Sequence, residues 1–379
     1  MRCVAERRGT CQLRKVTISI VGLAISITLG LVLTAMPGCR SNASQRDSRQ
    51  DSGGYSRSVS DAGAVAVDRN GGFVLASDPG LPSDLAIDQD YVYWTSAASG
   101  TIQRISKNGG TAQHLTSIQR LGNPSLAVDA ASVYFTSKDS TGSTMYVGSV
   151  PKTGGAITVI AGHLPGAAHV KVRDGFVYWI VLGRSDLAGI ARSPIGGGMV
   201  QTLAPTTYVG VQRFCVDDHY VYWTDDGDRG PTSGHVYRTP RDGSGSIATL
   251  IGGIDSPYGI AVDATSAYVA IGAHPNPTHG VWNGGIVRLN KHATGRAPTT
   301  ILASKRLQPL TVAVDADFVY WGDHLSGYLM KAPKDGGDTV PVVRSGAAGF
   351  ESIAVDDQYV YWIFGSLGNG YVGRAPKNL

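Results

Sequence analysis

The sequence predicts an all-β protein, a seven-bladed β-propeller of four-stranded blades. Two observations predict this class: a nine-residue motif recurs along the chain, and the two chain ends carry complementary parts of one repeat. The motif reads AIDQDYVYW at 86–94, CVDDHYVYW at 215–223 and AVDDQYVYW at 354–362. Its seven copies end at Trp94, Phe135, Trp179, Trp223, Val269, Trp321 and Trp362. These positions lie 41 to 52 residues apart, which is the length of a propeller blade.

Each repeat divides into four predicted strands with alternating or apolar patterns. In the second repeat they are 125–129, 132–137, 143–152 and 156–162. Between the third and fourth strands, turns such as PKTGG at 151–155 and PKDGG at 333–337 provide the positive φ of a tight hairpin. The first strand ends at an aspartate in six copies, Asp88 and Asp356 among them, and at Arg173 in the third. We interpret these aspartates as acceptors for backbone N–H groups of the following turn.

The chain ends predict how the ring closes. The seventh repeat stops after its third strand, whereas residues 68–77 supply a turn and a fourth strand. The N-terminal strand should therefore complete the C-terminal blade, which removes an exposed sheet edge. The predicted propeller domain spans 63–379, with 63–68 as an additional stretch along its rim.

Charge and cysteine content restrict the function classes. Of 33 basic and 29 acidic residues, nine and three precede residue 61, so the remaining chain carries 24 against 26. Nucleic-acid binding needs a clustered basic face, which this balance does not favour. Three of the four cysteines precede the repeats, and Cys215 is expected to be a small buried thiol.

The first 39 residues predict a signal peptide. Five basic residues between Arg2 and Lys15 precede twenty residues without a charge. The following Gly38–Cys39 pair resembles a bacterial lipoprotein processing site, which implies lipidation of Cys39. An uncleaved transmembrane anchor is the alternative, because twenty apolar residues suffice to span a bilayer.

Residues 40–62 are rich in Ser, Gln and Arg and predict a disordered tether. The expected location is outside the inner membrane, lipid-anchored in the bacterial envelope. By resemblance to enterobacterial lipoproteins, Arg40 in place of an aspartate indicates the outer membrane.

Candidate site residues come from the start of each first strand, where that strand should line the channel. Ten residues before the motif's last position stand Asp84, Ser125, His169, Arg213, Gly259, Thr311 and Ser352, and eleven before stand Ser83, Pro124, Ala168, Gln212, Tyr258, Leu310 and Glu351. We predict Glu351 and His169 as catalytic residues and Glu351 as a metal ligand. The predicted ligand-binding residues are Asp84, Lys171, Gln212, Arg213, Tyr258 and Trp282.

Glu351 is singled out because no other glutamate follows residue 6. Its longer arm suits a metal ligand or general base, although it also suits a solvated rim residue or a partner for Arg213. Lys171 and Arg173 make the third first strand basic, which either a bound anion or Asp84 and Glu351 would balance. Trp282 lies in a long insertion at 272–285 with His274 and His279, a candidate contact loop.

The YVYWTDD stretch at 220–226 resembles the YWTD propellers of lipoprotein-receptor ectodomains across about 73–379. Glu351 with His169 also resembles the channel sites of virginiamycin B lyase and gluconolactonase-like propellers, which implies a divalent cation. The function expected first is an envelope-anchored binding or scaffolding propeller that contacts a protein, peptide or glycan, with no cofactor. The alternatives are a divalent-cation-dependent lactonase or lyase and a purely structural envelope component.

Overall fold

The computed structural model describes residues 66–67, 72–119, 124–183, 188–205, 210–227, 233–272, 284–293, 299–324, 326–344, 349–365 and 368–378. All of them belong to one compact unit, Ser58–Leu379. Every regular element in these ranges is a β-strand, so the predicted all-β class is confirmed. The same ranges contain no helix that is long and apolar enough to cross a membrane. The predicted signal peptide, Cys39 and the tether lie outside the described residues.

The strands are numbered in chain order. The N-terminal strands are β1 (Ala66–Val67) and β2 (Phe73–Ser77). Blade 1 contains β3 (Pro82–Ile87), β4 (Tyr91–Ser96), β5 (Thr101–Ser106) and β6 (Gln113–Ser117). Blade 2 contains β7 (Leu126–Val128), β8 (Ser132–Lys138), β9 (Met145–Pro151) and β10 (Thr158–Leu164). Blade 3 contains β11 (Ala168–Arg173), β12 (Phe176–Val181), β13 (Gly189–Pro194) and β14 (Gln201–Pro205).

The second half of the chain repeats this pattern. Blade 4 contains β15 (Val211–Val216), β16 (Tyr220–Asp225), β17 (Gly234–Pro240) and β18 (Ala248–Ile254). Blade 5 contains β19 (Pro257–Val262), β20 (Ser266–Ile271), β21 (Gly284–Asn290) and β22 (Thr299–Leu307). Blade 6 contains β23 (Pro309–Val314), β24 (Phe318–Asp323), β25 (Tyr328–Pro333) and β26 (Val340–Arg344). Blade 7 contains β27 (Phe350–Val355), β28 (Tyr359–Phe364) and β29 (Tyr371–Pro376), completed by β2.

The ring closes as the sequence predicts. Strand β2 pairs antiparallel with β29, with Phe73 opposite Arg374 and Ser77 opposite Tyr371. Strand β1 adds a fifth strand outside β2, with Ala66 opposite Val74. Each first strand contacts the first strand of the next blade, and β27 contacts β3, so the seven sheets form a closed propeller.

The core lies between adjacent blades. The tryptophans that end the motif, Trp94, Trp179, Trp223, Trp321 and Trp362, are at most 2% exposed. Trp179 of blade 3, for example, packs with Val147 and Ile160 of blade 2. Because each cluster takes side chains from two blades, no blade can bury its own apolar face, and the ring is the stable unit.

The predicted structural role of the motif aspartates is confirmed. Asp88 accepts the backbone N–H groups of Asp90 and Tyr91 at 2.9 and 2.8 Å, and the Tyr93 hydroxyl at 2.8 Å. The same three acceptor bonds recur at Asp129, Asp217, Asp263, Asp315 and Asp356.

Blade 3 makes the same turn without this aspartate. Its Asp174 and Gly175 both have positive φ, 46° and 77°, as in a type I′ hairpin turn. Such a turn needs no carboxylate to hold it. One consequence is that the buried Tyr178 hydroxyl has no hydrogen-bond partner among the described residues.

A lysine from the next blade's outer turn reaches most of these aspartates. The pairs, with N–O distances of 2.6 to 2.7 Å, are Lys152–Asp88, Lys291–Asp217, Lys334–Asp263, Lys377–Asp315 and Lys107–Asp356. We call this set the Asp–Lys belt. In blade 3 the equivalent position is Ile195. The belt thus links consecutive blades at the channel end opposite to where the first strands begin.

Candidate functional site: the channel mouth

The seven first strands begin at one end of the channel, which we call the channel mouth. Their pairing is irregular there, with register shifts between Pro82 and Asp84, between Val211 and Arg213, and between Phe350 and Ser352. The shift recurs in blades 1 and 3 to 7, so it is a feature of the repeat, and it redirects the side chains at the start of each of these first strands. The predicted site positions therefore lie where the strands depart from regular geometry.

Arg213 and His169, on the neighbouring strands β15 and β11, contact each other directly. Arg213 Nη1 donates to His169 Nε2 at 2.5 Å and to the carbonyl of Gln212 at 3.2 Å. Burial, followed by the charges of Arg213 and Lys171, holds the pKa of His169 well below its usual range. The imidazole is therefore neutral, with its proton on Nδ1, and supports the guanidinium.

The backbone of His169 is also unusual. Its φ is 51°, in a region that residues other than glycine rarely adopt. Strain of this kind concentrates at functional sites and persists only where the surroundings enforce it.

Both carboxylate oxygens of Asp84 are used within the ring. Oδ1 accepts the Leu85 N–H and the Ser352 hydroxyl, each at 2.9 Å, and Oδ2 accepts the Leu126 N–H at 3.0 Å. Asp84 thereby joins the first strands of blades 7, 1 and 2. This geometry gives Asp84 a structural task in addition to any contact with a ligand.

Glu351 lies at the seam between blades 7 and 1. A Cβ atom at Gly365 would lie 2.8 Å from both Glu351 Cγ and the Pro82 carbonyl oxygen, so glycine there makes room for the carboxylate. The side chain of Glu351 is exposed to the channel. The surrounding channel wall nevertheless reduces its solvation and raises the pKa of Glu351, against the lowering effect of His324 and Arg213.

His324 is a mouth residue that sequence analysis missed. A Cβ atom at Gly349 would lie 3.8 Å from Glu351 Oε1 and 4.0 Å from His324 Cε1, so both side chains flank Gly349. His324 Nδ1 is buried and has no hydrogen-bond partner among the described residues. It follows the second strand of blade 6, whereas the mouth residues predicted from the sequence all belong to first strands.

Lys171 and Cys215 take the channel positions that hold alanine in the other blades. Lys171 is exposed and makes no ion pair within the described residues. Burial raises the pKa of the Cys215 thiol to about 12, against the smaller lowering effect of Lys171. Cys215 is half-buried rather than fully buried as expected, but its raised pKa makes it an unreactive thiol.

The remaining predicted residues contribute less. Gln212 is half-buried, and its carbonyl supports Arg213. The ring of Tyr258 packs where a Cβ atom at Gly272 would lie 2.5 Å from Tyr258 Cε2. Trp282, with His274 and His279, lies outside the described residues.

The mouth does not match the divalent-cation site that the resemblance implies. Among the described residues, no three His, Cys, Asp or Glu side chains are grouped so that they could hold a metal ion. Glu351 and His324 alone would give a cation two protein ligands, fewer than a zinc or calcium site supplies.

A cleft of about 530 Å³ lies elsewhere, between the first turns of blades 1 and 2. It is lined by Asp88, Asp129, Arg104 and Lys152 among others, so it belongs to the Asp–Lys belt. The mouth residues take no part in it.

Comparison with known proteins supports the fold. No protein-family model and no curated protein sequence matches the chain. Virginiamycin B lyase from Staphylococcus aureus is 13% identical, with a TM-score of 0.59 over 80% of this chain and 98% of that chain. A streptogramin B lyase is 14% identical, with a TM-score of 0.58 over 79% and 95%. U3-55K is 12% identical, with a TM-score of 0.60 over 82% and 100%.

These likenesses show a shared architecture. At 12 to 14% identity they extend to the seven-bladed β-propeller and no further. The class of the protein is thus a β-propeller with a polar channel mouth.

Proposed function

We propose that this chain is an envelope-anchored binding propeller whose channel mouth contacts a protein, peptide or glycan. One observation carries the proposal: the mouth side chains differ from blade to blade, whereas the motif and the belt repeat. Asp84, His169, Arg213 and Thr311 occupy equivalent positions. A repeat that varies at one end of its channel provides an asymmetric surface on a rigid frame, as recognition requires.

The path of the N-terminal chain supports an anchor that leaves the mouth open. Strand β1 runs along the outer edge of blade 7, so the chain joins the propeller at its rim. The proposed lipid on Cys39 and the tether of residues 40–62 would then hold the propeller by its side. Metabolic labelling with an alkyne fatty acid tests this proposal: label should be incorporated and be lost in Cys39→Ser. An unlabelled chain that stays in the membrane would instead support the transmembrane anchor.

The binding proposal is tested by site-specific photocrosslinking in intact cells. A photoreactive residue replaces Gln212 at the mouth in one full-length chain and Asn108, exposed on an outer turn at the opposite end, in another. A discrete adduct from position 212 and none from position 108 is expected. Equal adducts at both positions, or an adduct at 108 alone, would exclude the mouth as the binding surface.

A second candidate, acid–base catalysis at the mouth, is favoured by Glu351 and His324. Burial raises the pKa of Glu351, so its carboxyl group keeps its proton to a higher pH than an ordinary glutamate does, and the imidazole of His324 lies beside the same glycine. The test is turnover of lactones and of virginiamycin B by the full chain and by Glu351→Gln. Turnover that disappears in the variant would replace the binding proposal, and no turnover in either chain would remove this candidate.

A further inference from the structure

Two cationic side chains face the same side of the channel without an anionic partner. Arg213 belongs to blade 4 and Lys171 to blade 3, and no ion pair within the described residues involves either one. Lys171 acts on the pKa values of both His169 and Cys215, which places its ammonium near the strand that carries Arg213. The channel thus carries two cations on adjacent first strands, and neither forms an ion pair with a described residue.

The guanidinium of Arg213 is held ready for a ligand. The bonds to His169 and to the Gln212 carbonyl both come from Nη1, and Arg213 makes no other side-chain hydrogen bond in the described part of the chain. Nε and Nη2 are therefore open donors on a fixed plane. A fixed guanidinium edge with free donors matches the two oxygens of a carboxylate.

The nearby acids do not take up these donors. Asp84 and Glu351 influence the pKa of Arg213 from a distance, but neither forms an ion pair with it. Asp84 already accepts three hydrogen bonds. Burying a guanidinium without a bound anion costs free energy, and an incoming carboxylate would recover part of that cost.

The channel is also bipolar, which selects among anions. Arg213 and Lys171 come from blades 3 and 4, whereas Glu351 and Asp84 come from blades 7 and 1 on the opposite side of the ring. A polyanion would be repelled by the acidic side. A peptide carries carboxylates together with N–H donors that suit Glu351, so it matches both sides.

We propose that Arg213 and Lys171 form a receptor for a carboxylate of an acidic peptide bound in the channel mouth. The inference rests on the proposed binding function and names the chemistry of its ligand. Arg213 makes the paired hydrogen bonds, Lys171 adds a second charge from the adjacent blade, and His169 is a positioning residue that fixes the guanidinium.

Fluorescence anisotropy with the detergent-purified full chain tests this receptor at about 0.15 M salt, where weak surface attraction is screened. The probe is a labelled hexapeptide of alternating glycine and glutamate, and its control peptide has glutamine in place of glutamate. We expect saturable binding of the acidic peptide, and binding weaker by roughly tenfold or more for the glutamine peptide. A similar loss is expected in Arg213→Gln and in Lys171→Ala.

Arg344→Gln is the matched control, since Arg344 is exposed on an outer strand, and it should bind as the unchanged chain does. Lys171→Ala is expected to fold normally, because Lys171 is exposed in the channel, so weaker binding by this variant does not reflect misfolding. The receptor is wrong if the unchanged chain shows no saturable binding, if both peptides bind equally, or if Lys171→Ala and Arg213→Gln bind normally. Tighter binding of a uronic-acid oligosaccharide would overturn the assignment to a peptide. If the position-212 adduct still forms in these cases, the binding function stands and only the receptor fails.

Discussion

Lys107 Nζ lies 2.6 Å from Asp356 Oδ2 and joins the first blade to the last. The two side chains are 11% and 27% exposed, and the ammonium also lies 5.0 Å from the centre of the Tyr361 ring. This pair joins blade 1 to blade 7, whereas the pairing of β2 with β29 completes the sheet of blade 7 itself. The ring is therefore fastened by two independent devices, a shared sheet and a partly buried ion pair.

Replacing Lys107 by methionine should weaken the seam between blades 7 and 1. The variant keeps most of the side-chain volume but leaves Asp356 without its cation, at a cost of about 1–2 kcal/mol, between the values for exposed and buried pairs. Urea denaturation of the full chain measures the loss. Lys138→Met is the control, since Lys138 makes no ion pair within the described residues, and an equal loss in both variants would contradict the role of the pair.

Two tyrosines at equivalent positions should respond differently to loss of the hydroxyl. Tyr93 donates to Asp88 at 2.8 Å, whereas the buried Tyr178 hydroxyl has no partner among the described residues. Tyr93→Phe should cost about 1 kcal/mol, and Tyr178→Phe should be neutral or stabilising, because it removes an unsatisfied polar group. The urea midpoints of the two variants compare them directly. A larger loss at Tyr178 would show that its hydroxyl is satisfied.

Acid should weaken the propeller through the Asp–Lys belt. Burial alone would raise the pKa of Asp217, but hydrogen bonds from Lys291, the following turn and Tyr222 lower it to about 2. The pKa is lowered in the same direction at Asp88, Asp263, Asp315 and Asp356. Because these folded-state pKa values lie below the unfolded value, the stabilisation is complete above about pH 4 and is lost as the pH falls toward about 2.

The urea midpoint measured between pH 5 and pH 2 tests this linkage. Asp217→Asn should lower the midpoint at neutral pH and make its pH dependence shallower. Asp335→Asn, at a side chain that is 98% exposed, should leave the slope unchanged. Identical slopes in all three chains would contradict the assignment to the belt.

Gly370 should tolerate no side chain. A Cβ atom there would lie 2.3 Å from Pro82 Cδ and 2.4 Å from the Asp78 carbonyl oxygen, at the seam between blades 7 and 1. We expect Gly370→Ala to cost about 1–3 kcal/mol by overpacking. Gly196→Ala is the control, because no atom lies within 4 Å of its added Cβ, and thermal unfolding of the two variants should differ clearly. Equal melting temperatures would mean that the residues around Gly370 accommodate the added methyl group without loss of stability.

The fold could be predicted because it is encoded locally and repeatedly. Each repeat carries its own strand alternation, its Asp-capped turn and its Gly-containing hairpin, and residues 68–77 supply the strand that the seventh repeat lacks. Strand β1 also falls within the predicted rim stretch, at Ala66–Val67. The motif copy that has Arg173 in place of the aspartate can also be explained, because Asp174–Gly175 forms a turn of a different type.

The contacts between repeats could not be predicted in the same way. Lys107 and Asp356 form an ion pair although they lie far apart in sequence. The lysines of the belt recur in the outer hairpin turns, and the glycines of those turns already account for the repeated turn sequence. The bond between Arg213 and His169 depends on strand bulges, and His324 reaches the mouth from a second strand. Sequence positions indicated which residues lie at the channel mouth, but which of these residues contact each other depends on the geometry of the ring.

The affinity of the crosslinked partner for the purified full chain shows whether the channel mouth is the binding surface. Its dissociation constant is measured for the unchanged chain, for Lys171→Ala at the mouth and for Asn108→Arg at the opposite end. We expect roughly tenfold weaker binding for Lys171→Ala and no change for Asn108→Arg. Loss of affinity in Asn108→Arg alone would contradict this expectation and move the binding surface to the opposite end of the channel.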